Sequence, residues 1–110
     1  MIFVFGSNLG GRHAGGAALH AHKHHGAVWG QGVGHHGGSY ALPTMDESFQ
    51  PLPLDVIESH VRAFLDYAAL HTDLEFQVTK VGCGIAGFTE DQIAPMFRGA
   101  PFNCQLPDGW

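Results

Sequence analysis

The chain has 110 residues, 45% of them hydrophobic and 14% charged, with a formal net charge of −5; this composition fits one well-packed domain over residues 1–110 and argues against disorder. Its five cationic residues, Arg12, Lys23, Arg62, Lys80 and Arg98, are scattered, so there is no basic stripe to neutralise a nucleic-acid polymer. Two cysteines, Cys83 and Cys104, make no disulfide framework, the opening MIFVFG lacks a basic leader, and no apolar run nears the ~20 residues that span a bilayer; the expected setting is the reducing cytoplasm, away from membranes.

Residues Ile2–Phe5 form a continuous β-favouring apolar run, as expected of a central strand covered on both faces. GSNLGGRHAGG then reads as a turn-rich loop, and AALHAHKHH as a helix with Ala17, Ala18, Ala21 and His25 on one face. From Gly26 to Gly38 glycine dominates; AVW is a short candidate strand and GQGVGHHGG a long loop. SYALPT reads as a strand stopped by Pro43. The clearest helix lies between Leu54 and Leu70, where Leu54, Ile57, Val61, Phe64, Leu65 and Ala68 form one stripe and Glu58 pairs with Arg62 at i,i+4. LEFQVTKV reads as the next strand. Thr89-x-x-Gln92 is a capping-box signature that opens a helix shortened or distorted by Pro95. FNCQL, with Phe102, Cys104 and Leu106 alternating, is the final candidate strand. Helices interleaved with strands point to a three-layer α/β/α domain with a mostly parallel sheet.

Chemistry is concentrated in two glycine loops. GCGIAG, from Gly82 to Gly87, fits G-x-G-x-x-G with a strand before it and a helix after it. A dinucleotide-binding Rossmann unit also needs a further parallel strand and an acidic residue about twenty positions on. Only Asp108 lies near that distance, past the last strand, so a nicotinamide-dependent oxidoreductase is not expected. The second formal match, GVGHHG, runs into a strand and is set aside. Thr89 caps the helix after GCGIAG, and Glu90 and Asp91 repel an anion there, so a phosphate would lie over the amides of Gly82 to Gly87. The alternative is a tight strand-to-helix turn with no ligand. FVFGSNLGGRHAGGAA is a second strand, glycine loop and helix start, and in a parallel sheet both loops emerge at the carboxyl edge, where ligands of open α/β sheets bind.

FGSN, the glycine-rich GRH loop, the helix with ALH, SYALPT and VGCGIAGFTEDQIAPMF together resemble the macro domain, the ADP-ribose-binding α/β/α fold, and more closely a group of short macro-like proteins of bacteria and phages. The resemblance covers most of the chain and implies a bacterial or phage-infected cell. It implies that two loops wrap a nucleotide diphosphate, that Phe88 packs near the distal ribose and that Asn8 hydrogen-bonds that ribose. The candidate site is then Ser7, Asn8, Gly10, Gly11, Arg12, His13, Ala14, Gly15 and Gly16 in the first loop, and Gly82, Cys83, Gly84, Ile85, Ala86, Gly87 and Phe88 in the second. Two departures from the family stand out. Its hydrolytic members carry an acidic residue in the first loop where this chain reads HAGGA, with Gly16 at that place, and no aspartate ahead of the first strand is present to read an adenine amino group.

Nine histidines raise the question of a metal. His20 and His24 share a helix face at i,i+4, but two more ligands are needed for a closed zinc site and no His-Glu-x-x-His motif occurs; no metal and no cofactor are expected. His13 lies inside the first loop and, with Asn8, is the candidate for any catalysis, against the alternative of a loop histidine facing water. Arg12 is the candidate to offer charge to a phosphate, against the equal alternative of a solvated side chain. Cys83, just before a helix, is in a setting that can lower a thiol pKa, although a small residue filling the turn is the favoured reading. Two function classes follow: a module that binds ADP-ribose or a related nucleotide diphosphate, with hydrolysis of an ADP-ribosyl bond left open, or a non-catalytic structural or interaction protein, such as a phage accessory component, that keeps the fold without a ligand.

Overall fold

In the computed structural model, which describes residues 1–110, the opening apolar run becomes β1 (Ile2–Asn8), the third of five strands in the sheet. A glycine loop leads to α1 (Gly16–His24). A short strand, β2 (Gly34–His36), precedes β3 (Ser39–Met45), α2 (Leu54–Leu70), β4 (Phe76–Val78), a one-turn α3 (Glu90–Ile93) continued by a 3-10 turn (Ala94–Phe97), and β5 (Cys104–Gln105). The strand order is β2-β3-β1-β4-β5. β3, β1, β4 and β5 run parallel and β2 is antiparallel to β3, so this is a mixed five-strand sheet in a compact α/β fold with a Cα radius of gyration of 12.4 Å.

Side chains alternate along β1 as the pleat requires. Phe3 and Phe5 join Ala18 and Ala21 of α1 in one apolar cluster, whereas Val4 joins Ile57, Val61 and Phe64 of α2 in another. Alanines on α1 let its backbone lie close to the two phenylalanines. Ala17 is exposed, and His25, one residue past the helix, stacks on Phe3 with ring centroids 4.4 Å apart. On α2 the buried residues are Ile57, Val61, Phe64 and Ala68, while Leu54 and Leu65 lie at the margins of the stripe. The Glu58–Arg62 pair forms at 4.0 Å. No helix is long and apolar enough to cross a membrane.

Several expected boundaries move. AVW is not a strand, and the expected long loop contains β2. The sequence HHGGSY closes a hairpin in which His36 faces Ser39 across Gly37 and Gly38, a two-residue Gly-Gly connection whose Gly37 has φ +58°. β3 runs through Pro43 instead of stopping there. Because β2 ends opposite Ala41, no strand needs the N–H that Pro43 lacks. β4 ends at Val78: Thr79 N–H makes the last ladder bond, to the Val4 carbonyl, and Val81 N–H then donates to the Thr79 carbonyl at 2.7 Å in a tight turn. The chain therefore leaves the sheet before Lys80 and Val81. Pro95 does turn the last helix into a 3-10 turn.

At the last strand the expected alternation is displaced. Phe102 is 86% exposed while Asn103 is buried. The Asn103 Nδ2 lies 3.0, 3.1 and 3.0 Å from the carbonyl oxygens of Ala68, His71 and Leu74, around the turn that follows α2; Ala68 and His71 also accept the backbone N–H groups of His71 and Leu74.

Candidate functional site

The two glycine loops meet across a cleft of about 280 Å³ at the carboxyl ends of β1, β3 and β4. Gly6 of β1 is its floor. A Cβ there would lie 3.3 Å from the Gly82 amide nitrogen and 3.4 Å from Thr44 Oγ1, so the missing side chain keeps the floor open. One wall is the start of α1, with Gly15, Gly16, Ala17 and Ala18. The opposite wall is the second loop, with Gly82, Gly84, Ile85 and Ala86. Ile85 reaches over the cleft, its Cδ1 within 3.9 Å of where a Cβ would stand on Gly15 or Gly16.

Both walls present backbone donors without partners. α1 begins at Gly15 with no side-chain cap and no acidic residue in its first turn, so the first amides of the helix and the positive end of its dipole face the cleft. The other helix starts differ: α2 carries Asp55 in its first turn, and α3 is closed by the Thr89–Gln92 capping box and carries Glu90 and Asp91. In the second loop, Cys83 N–H donates to Lys80, Gly87 N–H to Gly84 and Phe88 N–H to Gly82. The amides of Gly82, Gly84, Ile85 and Ala86 donate to no group within the chain. Left-handed backbone occurs at Gly82, with φ +78°, and at Gly87, with φ +83°, but not at Gly84. Gly84 is needed for its open surface: a Cβ there meets nothing within 4 Å.

The electrostatics match the donors. Arg12 and Lys80 line the cleft, whereas no Asp, Glu, His or Cys does, in a chain of net charge −5. Lys80 Nζ lies 3.2 Å from Glu90 Oε2, and Glu90 Oε1 accepts from the Trp110 indole at 2.9 Å. These two bonds hold the Glu90 carboxyl below its ordinary pKa, the Trp110 bond contributing most.

Of the residues expected in the site, Asn8, Arg12, Gly15 and Gly16 line the cleft from the first loop, and Gly82, Gly84, Ile85 and Ala86 from the second. The others serve as supports. Asn8 itself is buried and clamps its loop, Oδ1 accepting from Arg12 N–H and Nδ2 donating to the Arg12 carbonyl, both at 2.9 Å. Gly11 has φ +65° and packs directly on the backbone of Gly30 and Gln31, and Gly10 packs on Glu47. Ser7 donates its hydroxyl to the Gly32 carbonyl. Ala14 is exposed away from the cleft lining.

His13 stands apart from the cleft. It is fully buried, its ring edge-on to Phe5 and beside His22 and Trp29. Its Nε2 lies 2.9 Å from the Val28 carbonyl. A carbonyl only accepts, so Nε2 carries the proton and Nδ1 is left buried with no partner. Burial, reinforced by His22 and His36, lowers its pKa. The side chain ties the first loop to the 27–33 segment, and neither role considered for it, catalysis or a loop histidine facing water, matches this position.

Cys83 is half-buried and packs against the main apolar core, its Sγ 3.7 Å from the Val81 carbonyl. Burial, with the Glu90 carboxylate adding to it, pushes its thiol pKa up, not down. Gly87 and Phe88 lie outside the cleft lining, and Phe88 packs on the same core beside Gly82. His20 and His24 sit with ring centroids 4.9 Å apart on α1, and no group of three His, Cys, Asp or Glu side chains is arranged to hold a metal.

The cleft also uses residues that the loops did not announce: Thr44 and Met45 at the end of β3, Thr79 and Lys80 after β4, and Phe49 from the β3–α2 connection. Thr79 and Lys80 flank a recognised motif and follow from the end of a parallel strand; Phe49 carries no sequence signal of its own. No family model, no curated protein and no solved structure matches the chain.

Proposed function

We propose that the cleft binds ADP-ribose or a related nucleotide diphosphate. The observation that carries this reading is the pair of facing, unpartnered amide rows: the bare first turn of α1 on one wall and Gly82, Gly84, Ile85 and Ala86 on the other. An anion between them accepts charge-assisted hydrogen bonds from both sides, with the α1 dipole and the Arg12 cation adding favourable charge, while Lys80 is already paired with Glu90. A diphosphate suits two walls better than a single phosphate does, because each phosphoryl group faces its own set of donors.

The proposal is of binding, not of hydrolysis. None of the cleft-lining residues is an Asp, Glu, His or Cys, and neutral, buried His13 is not among them, so a general acid or base would have to come from outside the cleft wall. The proposed fold is the three-layer α/β/α arrangement of the macro type, supported by the separate apolar clusters that β1 shares with α1 and with α2. A reducing cytosolic setting accords with two cysteines that are both free.

The test is calorimetric titration with ADP-ribose, paired with thermal unfolding. A bound ligand at a hundred times its dissociation constant stabilises the folded state by about 2.7 kcal/mol. The reading expects heat of binding and a raised Tm. Millimolar ADP-ribose that produces neither rejects it in favour of a domain that keeps the fold without a ligand.

A further inference from the structure

Phe49 is the only non-glycine residue with positive φ, at 62°. For a side chain of that size the left-handed conformation is unfavourable and rare. The surrounding turn holds it there. Asp46 Oδ1 accepts the amides of Ser48 at 2.8 Å and Gln50 at 2.9 Å. Phe49 N–H donates to the Asp46 carbonyl, Asp46 N–H to the Gln50 carbonyl, and Met45 bridges to Pro51. This braced connection does not bury the ring. Phe49 remains 41% exposed and lines the cleft.

Its position is at the β3 side of the cleft, with Thr44 and Met45, while the unpartnered amides of the second loop are at the β4 side. β1 lies between them, so the two ends are about two interstrand spacings, ~10 Å, apart. A nucleotide is built on that plan, with a flat ring at one end, a sugar between, and a diphosphate at the other.

We infer that Phe49 is the platform on which the cleft stacks the nucleobase of its ligand. This inference rests on the nucleotide-diphosphate reading above and adds the residue that holds the ligand's planar base, a group that an aliphatic diphosphate lacks. Fixing an aromatic in a strained, exposed conformation fits such a role, since the ring is already oriented before the ligand arrives.

The experiment measures the affinities of ADP and of inorganic pyrophosphate for the parent protein, Phe49→Gly and Phe49→Trp. Glycine removes the ring and accepts positive φ without strain, so Phe49→Gly is expected to unfold at a temperature no lower than the parent. Base–aromatic stacking corresponds to roughly a 5- to 150-fold difference in affinity. The parent is expected to prefer ADP over pyrophosphate by a factor in that range. Phe49→Gly should lose that preference while binding pyrophosphate as before, and Phe49→Trp should keep it. If both ligands bind the parent and Phe49→Gly retains the full preference for ADP, the base lies elsewhere and the inference is overturned while the diphosphate reading stands. If neither ligand binds the parent, the diphosphate reading fails and takes the inference with it.

Discussion

Gly82 and Gly84, two residues apart in the same loop, are glycine for different reasons, and replacing each separates the fold from the site. Gly82 has φ +78°, and a Cβ there would stand 3.3 Å from Ile93 Cδ1 in the core. Gly82→Ala therefore lowers stability by about 1–2 kcal/mol, the cost of an L-residue in left-handed backbone, plus some repacking of Ile93. Gly84 has ordinary φ and its Cβ position is open, so Gly84→Ala changes stability by less than about 1 kcal/mol, toward stabilisation because the unfolded chain loses freedom. Gly84→Val retains the fold and sets a branched side chain against the cleft wall, over the amides of Gly84, Ile85 and Ala86. Each charge-assisted hydrogen bond that a phosphate then loses is worth about 1.5–3 kcal/mol, roughly a ten- to hundredfold loss of affinity per bond. The assay is urea unfolding and ADP-ribose titration on the same purified variants. A folded Gly84→Val that binds as the parent does refutes the amide cradle, and a Gly82→Ala as stable as the parent refutes the conformational argument.

Arg12→Ala is expected to weaken ADP-ribose binding by about 1–3 kcal/mol, as measured by titration; complete loss in a folded variant would mean that a side chain, not the amide rows, holds the anion. Asn103→Ala should cost about 1–3 kcal/mol in urea unfolding, because the buried side-chain amide that links the Ala68, His71 and Leu74 carbonyls is lost, while Phe102→Ala, at an 86% exposed position, should stay within about 0.5 kcal/mol of the parent. For His13 the folded-state pKa lies below the unfolded value of 6.5, so its contribution to stability is complete above pH 6.5 and is lost as the pH falls from there toward the lowered value. The slope from one such group is at most about 1.4 kcal/mol per pH unit. His13→Gln should flatten the pH dependence of the urea midpoint below 6.5, and an unchanged slope would contradict the buried, neutral assignment.

Local pattern made part of this molecule legible. Ile2–Phe5 announced the central strand because a strand buried on both faces needs an uninterrupted apolar run, and the 3.6-residue stripe announced α2. The carboxyl-edge placement of both loops followed from a parallel sheet, whatever their detailed conformation. The Gly-Gly hairpin was obscured in a segment where glycines serve unlike purposes: Gly32 and Gly11 allow backbones to meet, whereas Gly37 turns a hairpin. Other features depend on tertiary neighbours. Pro43 is tolerated in β3 because β2 happens to end before it, and Asn103, not Phe102, faces inward because the turn after α2 gathers three carbonyls around its side-chain amide. His13 looked catalytic from its position in a glycine loop, but the 27–33 segment folds over it, a contact that no local spacing encodes. Phe49 enters the cleft through a turn braced by Asp46, and its positive φ has no signature in the residue type.

The central claim is that unpartnered amides on two walls bind one diphosphate, and amide chemical shifts read those groups directly. In a ¹⁵N-labelled sample titrated with ADP-ribose, the account predicts the largest shifts at Gly16, Ala17 and Ala18 and at Gly82, Gly84, Ile85 and Ala86, saturating together at one stoichiometry. Saturable shifts confined to one wall or to residues outside the cleft, or no shifts at millimolar ligand, would contradict it.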